Sequence, residues 1–176
     1  MGLYDLHTRQ LVRLDADMNG NGVLDTRTYA NGSRIFRSEV DVNEDGRVDR
    51  WEYWSDRHTL TMVGTSSRPE GVEDVWTFPE AGGEIRVDRA ERQERHATRR
   101  EFYRSGALVR AEEDTNLDGR VDKWEAFDAG RLRSVAFATR GGADRPDRRL
   151  VYDENAQFTH VEVDSDGDGQ FERIVR

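Results

Sequence analysis

The segment Asp41-Val42-Asn43-Glu44-Asp45-Gly46-Arg47-Val48-Asp49-Arg50-Trp51-Glu52 places an oxygen-bearing side chain at its first, third and fifth positions, then a glycine. A further Asp follows at the ninth position and a Glu at the twelfth. The pattern returns at Asp114-Thr115-Asn116-Leu117-Asp118-Gly119-Arg120-Val121-Asp122-Lys123-Trp124-Glu125. Looser copies begin at Asp17 (Asp17, Asn19, Asn21, Gly22, Asp25) and at Asp164 (Asp164, Asp166, Asp168, Gly169, Glu172). A single Asp/Asn/Gly run is an ordinary solvated turn. Four in register are a repeated device.

A second series keeps the same time. Tyr4, Tyr29, Tyr53, Phe78, Tyr103, Phe127 and Tyr152 are separated by 25, 24, 25, 25, 24 and 25 residues. Leu11, Ile35, Leu60, Ile85, Leu108, Leu132 and Phe158 follow them at nearly constant distance, and Gly22, Gly46, Gly71, Gly119 and Gly169 mark the loops. The chain is therefore an array of about seven repeats of 24–25 residues, expected as a single repeat domain over residues 1–176. Tyr4 and Leu11 read as the tail of a repeat whose loop is missing, so Met1 is expected to be a processed or engineered start.

Each repeat reads as strand, oxygen-rich loop, strand, tight turn. Thr159–Val163 and Asp49–Tyr53 carry alternating, β-branched or aromatic residues, and Arg104-Ser105-Gly106 and Asp128-Ala129-Gly130 are hairpin turns. The Arg/Glu-rich run from Ala90 to Tyr103 admits an exposed helix, but a degenerate hairpin fits the period better. The expected fold is all-β: antiparallel β-hairpin repeats forming a twisted, or rolled, meander. A closed barrel and helical loops of dockerin type are the alternatives.

The loop resembles an EF-hand calcium loop. Calcium takes six to eight hard oxygens. By that template Asp41, Asn43, Asp45, Asp49 and Glu52 supply side chains and Arg47 a backbone carbonyl. The second set is Asp114, Asn116, Asp118, Asp122 and Glu125, with the carbonyl of Arg120. The weaker sets are Asp17, Asn19, Asn21 and Asp25, and Asp164, Asp166, Asp168, Glu172 with the carbonyl of Gln170. These two have Thr28 and Val175 at the twelfth position, so they are expected to bind less tightly or to borrow a ligand. Asp15, Glu39, Glu112 and Glu162, each two residues before a loop, are candidates to lend one. If the loops close hairpins, Glu52 and Glu125 point away and Asp49 and Asp122 bind directly.

The period leaves only about 12 residues between loops, too few for two flanking helices. The D-x-N-x-D-G-x-V core at Asp41 and Asp114 is similar to that of dockerin modules, which carry one helix per loop. Here Trp51-Glu52-Tyr53-Trp54 and Gly130 stand where that helix would form. The chain more closely resembles secreted bacterial proteins with tandem D-x-N-x-D-G-x-x-D-x-W-x-x-F/Y units, best over Asp114–Leu132 and next over Asp41–Leu60. That resemblance implies calcium-bearing β-hairpin arrays and no defined activity.

Composition narrows the function. Apolar residues make up 35% and charged residues 36%, so each repeat can bury only a narrow strip. A net charge of −9, concentrated in the loops, suits divalent cations and disfavours nucleic acid. With no Cys there is no disulfide or zinc–thiolate site, and no apolar run is long enough to span a membrane. His7, His58, His96 and His160 are scattered and no catalytic motif is present, so the chain is read as a non-enzyme. The loops point to calcium ions as partners, with a protein or glycan as a further partner class. Loops of this chemistry work at extracellular calcium levels, which places the protein outside the cell or in the periplasm. Trp51, Trp54, Trp76 and Trp124 are read as repeat core, with sugar stacking the alternative. Around Arg92, Arg95, Arg145 and Arg148, and at Ser66-Ser67-Arg68-Pro69-Glu70, the ligand slots have lost their acids. Drift with exposed charge is expected there in preference to guanidinium groups standing in for an ion.

Overall fold

A computed structural model describes residues 1–68, 71–90, 96–140 and 145–174. The chain divides into two compact units, Met1–Pro79 and Glu80–Arg176. The first holds strands β1 (Gly2–Tyr4), β2 (Leu11–Ala16), β3 (Thr26–Asn31), β4 (Arg34–Val40), β5 (Arg50–Trp54), β6 (Leu60–Thr65) and β7 (Val75–Pro79). The second opens with a 3₁₀ turn (Ala81–Gly83). It continues with β8 (Glu84–Arg89), β9 (Arg99–Arg104), β10 (Ala107–Glu113), β11 (Lys123–Asp128), β12 (Arg131–Phe137), β13 (Arg148–Tyr152), β14 (Phe158–Val163) and β15 (Glu172–Arg173).

Within each unit every strand pairs antiparallel with its sequence neighbour, and among the described residues the last strand does not return to the first. The fold is thus the all-β hairpin meander, open and not a closed barrel. No described residue lies in an α-helix, so the dockerin-type alternative falls. The run from Ala90 to Tyr103 contributes β9, paired with β8, as a hairpin; residues 91–95, including Arg92 and Arg95, lie outside the described part.

Tight turns sit at one end of the strands. Ser105–Gly106 (φ 50° and 80°) and Ala129–Gly130 (φ 48° and 78°) are left-handed at both central residues. That backbone twist matches the right-handed twist of the flanking strands, and glycine adopts it without a Cβ clash. Within each unit the longer connections, after β2, β4 and β6 in the first and after β8, β10, β12 and β14 in the second, lie at the opposite end of that unit's strands. Backbone bonds link successive loops. Asp41 N donates to Asp25 O (2.8 Å) and Ser66 N to Asp49 O (2.9 Å), while Asp114 N donates to Thr98 O (2.8 Å) and Asp164 N to Asp147 O (3.0 Å).

Little of the interior is conventional core. Among the described residues, the buried apolar ones are Ala30, Trp51, Ala90, Phe102, Ala111, Val135 and Ala136, and buried Asp, Ser and Thr outnumber them. Small side chains there stand opposite long charged ones on the neighbouring strands. Ala111, 1% exposed, pairs with Glu101 on one side and Glu125 on the other. Arg99 reaches Glu101 (3.0 Å), Glu113 (3.0 Å) and Glu125 (2.7 Å), and Lys123 bridges Glu113 and Glu125 (both 2.9 Å). Burial alone pushes the Glu125 carboxyl up, but Lys123 and Arg99 outweigh it and hold it below its ordinary range. Aromatics do similar work. The Arg37 guanidinium lies 5.9 Å from the Tyr29 ring and 5.7 Å from the Tyr53 ring, its two cross-strand neighbours. Trp51 is 6% exposed, and Trp54, Trp76 and Trp124 are half-buried in the sheet.

Candidate metal centre

The four oxygen-rich loops share one hydrogen-bond pattern, dictated by the short acceptor side chains. The first Asp accepts the N–H of the glycine at the sixth position: Asp17 from Gly22 (2.7 Å), Asp41 from Gly46 (2.8 Å), Asp114 from Gly119 (2.8 Å), Asp164 from Gly169 (2.9 Å). The third-position oxygen accepts the fifth-position N–H: Asn19 from Asn21 (3.1 Å), Asn43 from Asp45 (2.9 Å), Asn116 from Asp118 (2.9 Å), Asp166 from Asp168 (3.2 Å). The fifth-position oxygen accepts the seventh-position N–H, as Asn21 from Val23, Asp45 from Arg47, Asp118 from Arg120 and Asp168 from Gln170. The glycine makes the turn at φ 88–94°.

The consequence is convergence. In the last loop, carboxylate oxygens of Asp164, Asp166 and Asp168 all lie within 4.8 Å of one another, with Asp164 buried and the other two exposed. In the Asp41 and Asp114 loops the third-position corner is the amide oxygen of Asn43 or Asn116, held by the same contact. Asp114 is only 7% exposed.

The ninth position closes each loop from the strand side. Asp49 accepts the N–H of Val42 (3.0 Å) and Asn43 (3.3 Å); Asp122 accepts Thr115 N (2.9 Å) and its hydroxyl (2.8 Å). Asp25 accepts Met18 N (3.1 Å), and Glu172 the Ser165 hydroxyl (3.1 Å). Asp25 is held below its ordinary pKa first by the Thr26 hydroxyl and then, against burial, by loop N–H groups. The twelfth-position residues lie elsewhere. Glu52, on β5, pairs with Arg50 (2.9 Å), and Glu125, on β11, is the partner of Arg99 and Lys123. Val175 lies outside the described residues.

The four acids that lie two residues before the loops are held on the sheet. Asp15 pairs with Arg13 (2.8 Å), Glu39 with Arg37 (2.7 Å), Glu112 with Arg110 (2.6 Å) and Glu162 with Arg149 (2.5 Å). Glu39 nevertheless lines, with Asp25, Asp41 and Glu44, a small hollow between the first two loops, and Glu112 shares one with Asp114.

Sequence reasoning missed Glu44. From the fourth position of the Asp41 loop it reaches the side-chain amides of Asn19 and Asn21 in the preceding loop, the latter at 2.7 Å. The available signal was two amides in one loop where carboxylates stand in others, with an extra acid one repeat later.

Two of the three acid-poor repeats keep the ninth-position Asp and add a guanidinium group, and the third has Thr98 at that position. Asp74, 2% exposed, accepts Ser67 N (2.8 Å) and its hydroxyl (2.7 Å) and pairs with Arg68 (3.0 Å). Asp147 accepts Thr139 N (2.9 Å) and pairs with Arg140 (3.5 Å), which also donates to the carbonyls of Asp164 (3.3 Å) and Ser165 (2.9 Å). Drift with exposed charge therefore does not describe Arg68, which is partly buried against Asp74, whereas Arg140 stays exposed while pairing with Asp147. Arg145 lies against Gly167, and Arg148 sits on β13; Pro69 and Glu70 are outside the described residues.

No described helix is long and apolar enough to cross a membrane. No protein-family model matches the chain, and no curated protein matches it either.

Proposed function

We propose that this protein is a calcium-binding repeat module with a structural or interaction role in an extracellular or periplasmic setting. One observation carries the reading: the same inward-turned set of oxygens recurs in four loops, with the three carboxylates of Asp164, Asp166 and Asp168 gathered within 4.8 Å. Hard oxygen donors without nitrogen or sulfur favour calcium over zinc or copper. The residues that would hold the ions are those at loop positions one, three, five and nine, with the seventh-position carbonyl. Glu52 and Glu125 are better assigned to the sheet. An ion in each loop would draw mutually repelling acids together at one end of the strands and stabilise a fold short of apolar core. The role proposed is scaffolding and binding, not catalysis.

Thermal melts in calcium and in EDTA test this. The melting temperature should rise with calcium; an unchanged midpoint at millimolar calcium would sink the proposal.

A second reading, calcium-dependent binding of a glycan or protein, draws on one feature of the second unit. Trp124, Ala126, Ser134 and Phe171 line a groove, with the Arg149 guanidinium 4.4 Å from the Phe171 ring. Glycan-array binding that EDTA abolishes without unfolding the protein would favour it.

A further inference from the structure

Glu44 is conspicuous because it serves a loop other than its own. The Asp17 loop carries Asn19 and Asn21 where the Asp164 loop carries Asp166 and Asp168. An Asp offers the same oxygen whichever way its carboxylate turns. An Asn does not: one end of the amide accepts and the other only donates. An amide turned the wrong way would put an NH₂ group where a cation needs an oxygen.

Glu44 removes that ambiguity. Its carboxylate can only accept, and it takes Nδ2 of Asn21 at 2.7 Å on both oxygens, and Nδ2 of Asn19 as well. With their nitrogen ends so occupied, Asn19 Oδ1 faces Asn21 N (3.1 Å) and Asn21 Oδ1 faces Val23 N (2.8 Å). Those are the orientations of the corresponding oxygens in the other three loops. The neighbouring repeat is held at the right distance by the backbone bond from Asp41 N to Asp25 O. Glu44 also brings a negative charge beside a loop with two carboxylates, Asp17 and Asp25, where the Asp164 loop has four.

We infer that Glu44 is the positioning residue of the Asp17 loop, orienting Asn19 and Asn21 from the next repeat so that their oxygens serve a calcium ion. This rests on the calcium reading above. It makes the first loop dependent on the second. Outer groups that orient metal ligands typically change affinity by roughly 10–100-fold when removed.

The test is calorimetric titration of the full chain with calcium chloride, comparing the unmodified protein with Glu44→Ala, Glu44→Gln and Asp17→Ala. Asp17→Ala identifies the ion of the first loop by its loss. Glu44→Ala should weaken that same ion by roughly 10–100-fold and leave the others unchanged, with Glu44→Gln in between. If Asp17→Ala removes an ion that Glu44→Ala leaves untouched, the inference is overturned while the calcium reading stands. If the unmodified protein binds no calcium, the calcium reading fails and the inference with it. The side-chain NH₂ resonances of Asn19 and Asn21 in calcium-free protein supply a second readout. They should move in Glu44→Ala, and resonances that stay in place would overturn the positioning role directly.

Discussion

Replacing Asp114 by Ala separates what the loop gains from its own hydrogen bonds from what it gains from an ion. Asp114 is 7% exposed and accepts Gly119 N at 2.8 Å and Asp118 N at 3.2 Å. Its removal strands two loop N–H groups that water can partly reach, a cost of about 1–2 kcal/mol with or without calcium. The ion adds a second, conditional loss. With a dissociation constant on the order of 10⁻⁴–10⁻³ M and about 10 mM free calcium, one site contributes roughly 1.4–2.7 kcal/mol. At about 2–4 °C per kcal/mol for a chain of this size, that is roughly 3–11 °C in melting temperature. Differential scanning calorimetry of both proteins in calcium and in EDTA yields the two losses as a double difference. The deficit of Asp114→Ala should be larger in calcium than in EDTA by that margin. An equal deficit in both buffers would show that Asp114 holds its loop but no ion, and would refute the assignment.

Other substitutions probe the sheet and the acid-poor loops. Asp74→Ala removes an acceptor for Ser67 and the partner of Arg68, and should destabilise by about 2–4 kcal/mol; its melting deficit should be the same in calcium and EDTA, so a calcium-dependent deficit would contradict the guanidinium assignment. A Cβ at Gly64 would land on the Glu73 side chain, within 2.7 Å of its Cγ, and Glu73 accepts the Tyr53 hydroxyl at 2.9 Å. Burial first, then the Glu73 bond, pushes the Tyr53 pKa up to about 12, so ultraviolet titration of Gly64→Ala should show one tyrosine ionising nearer pH 10. Arg99→Met deprives Glu101, Glu113 and Glu125 of their shared cation and should cost about 3 kcal/mol near neutral pH. Glu101 and Glu125 titrate below the ordinary 4.5 when folded. The unfolded chain then binds more protons, and their contribution is present above that value and is lost as pH falls through the depressed folded values. Acid melts of the unmodified protein should therefore steepen below about pH 4.5, and Arg99→Met should flatten that limb.

Much of the fold was legible because its causes are local. The aromatic series from Tyr4 to Tyr152 and the Gly turns at Gly106 and Gly130 set strand length and turn type from neighbouring residues. The 24–25-residue period left no room for paired helices, and none of the described residues forms one. Within the loops, the contacts of Asp41, Asn43 and Asp45 span only two to five residues, so local spacing is enough to set them.

What spacing could not reveal depends on register and reach across strands. The twelfth-position Glu125 matches the EF-hand template, yet pairing of β10 with both β9 and β11 sets it within 2.7 Å of Arg99, 26 residues earlier, and the charge pair claims it. Arg140 engages Asp147, whereas the sequence drew attention to Arg145 and Arg148 in that repeat. Side-chain length decides such contacts, and the linear pattern does not record it. Glu44 is the clearest case. Its sequence position identifies it only as a spare acid in the Asp41 loop. Folding stacks that loop on the one before it, because a backbone bond from Asp41 to Asp25 brings the two repeats together, and Glu44 then meets Asn19 and Asn21. The sequence by itself determined the repeat, the strands and the oxygen-rich corners, all consequences of short-range chemistry. The tertiary structure decided which charges those corners keep, which the sheet takes, and which one loop lends another, because only the folded register sets distances between residues a repeat apart.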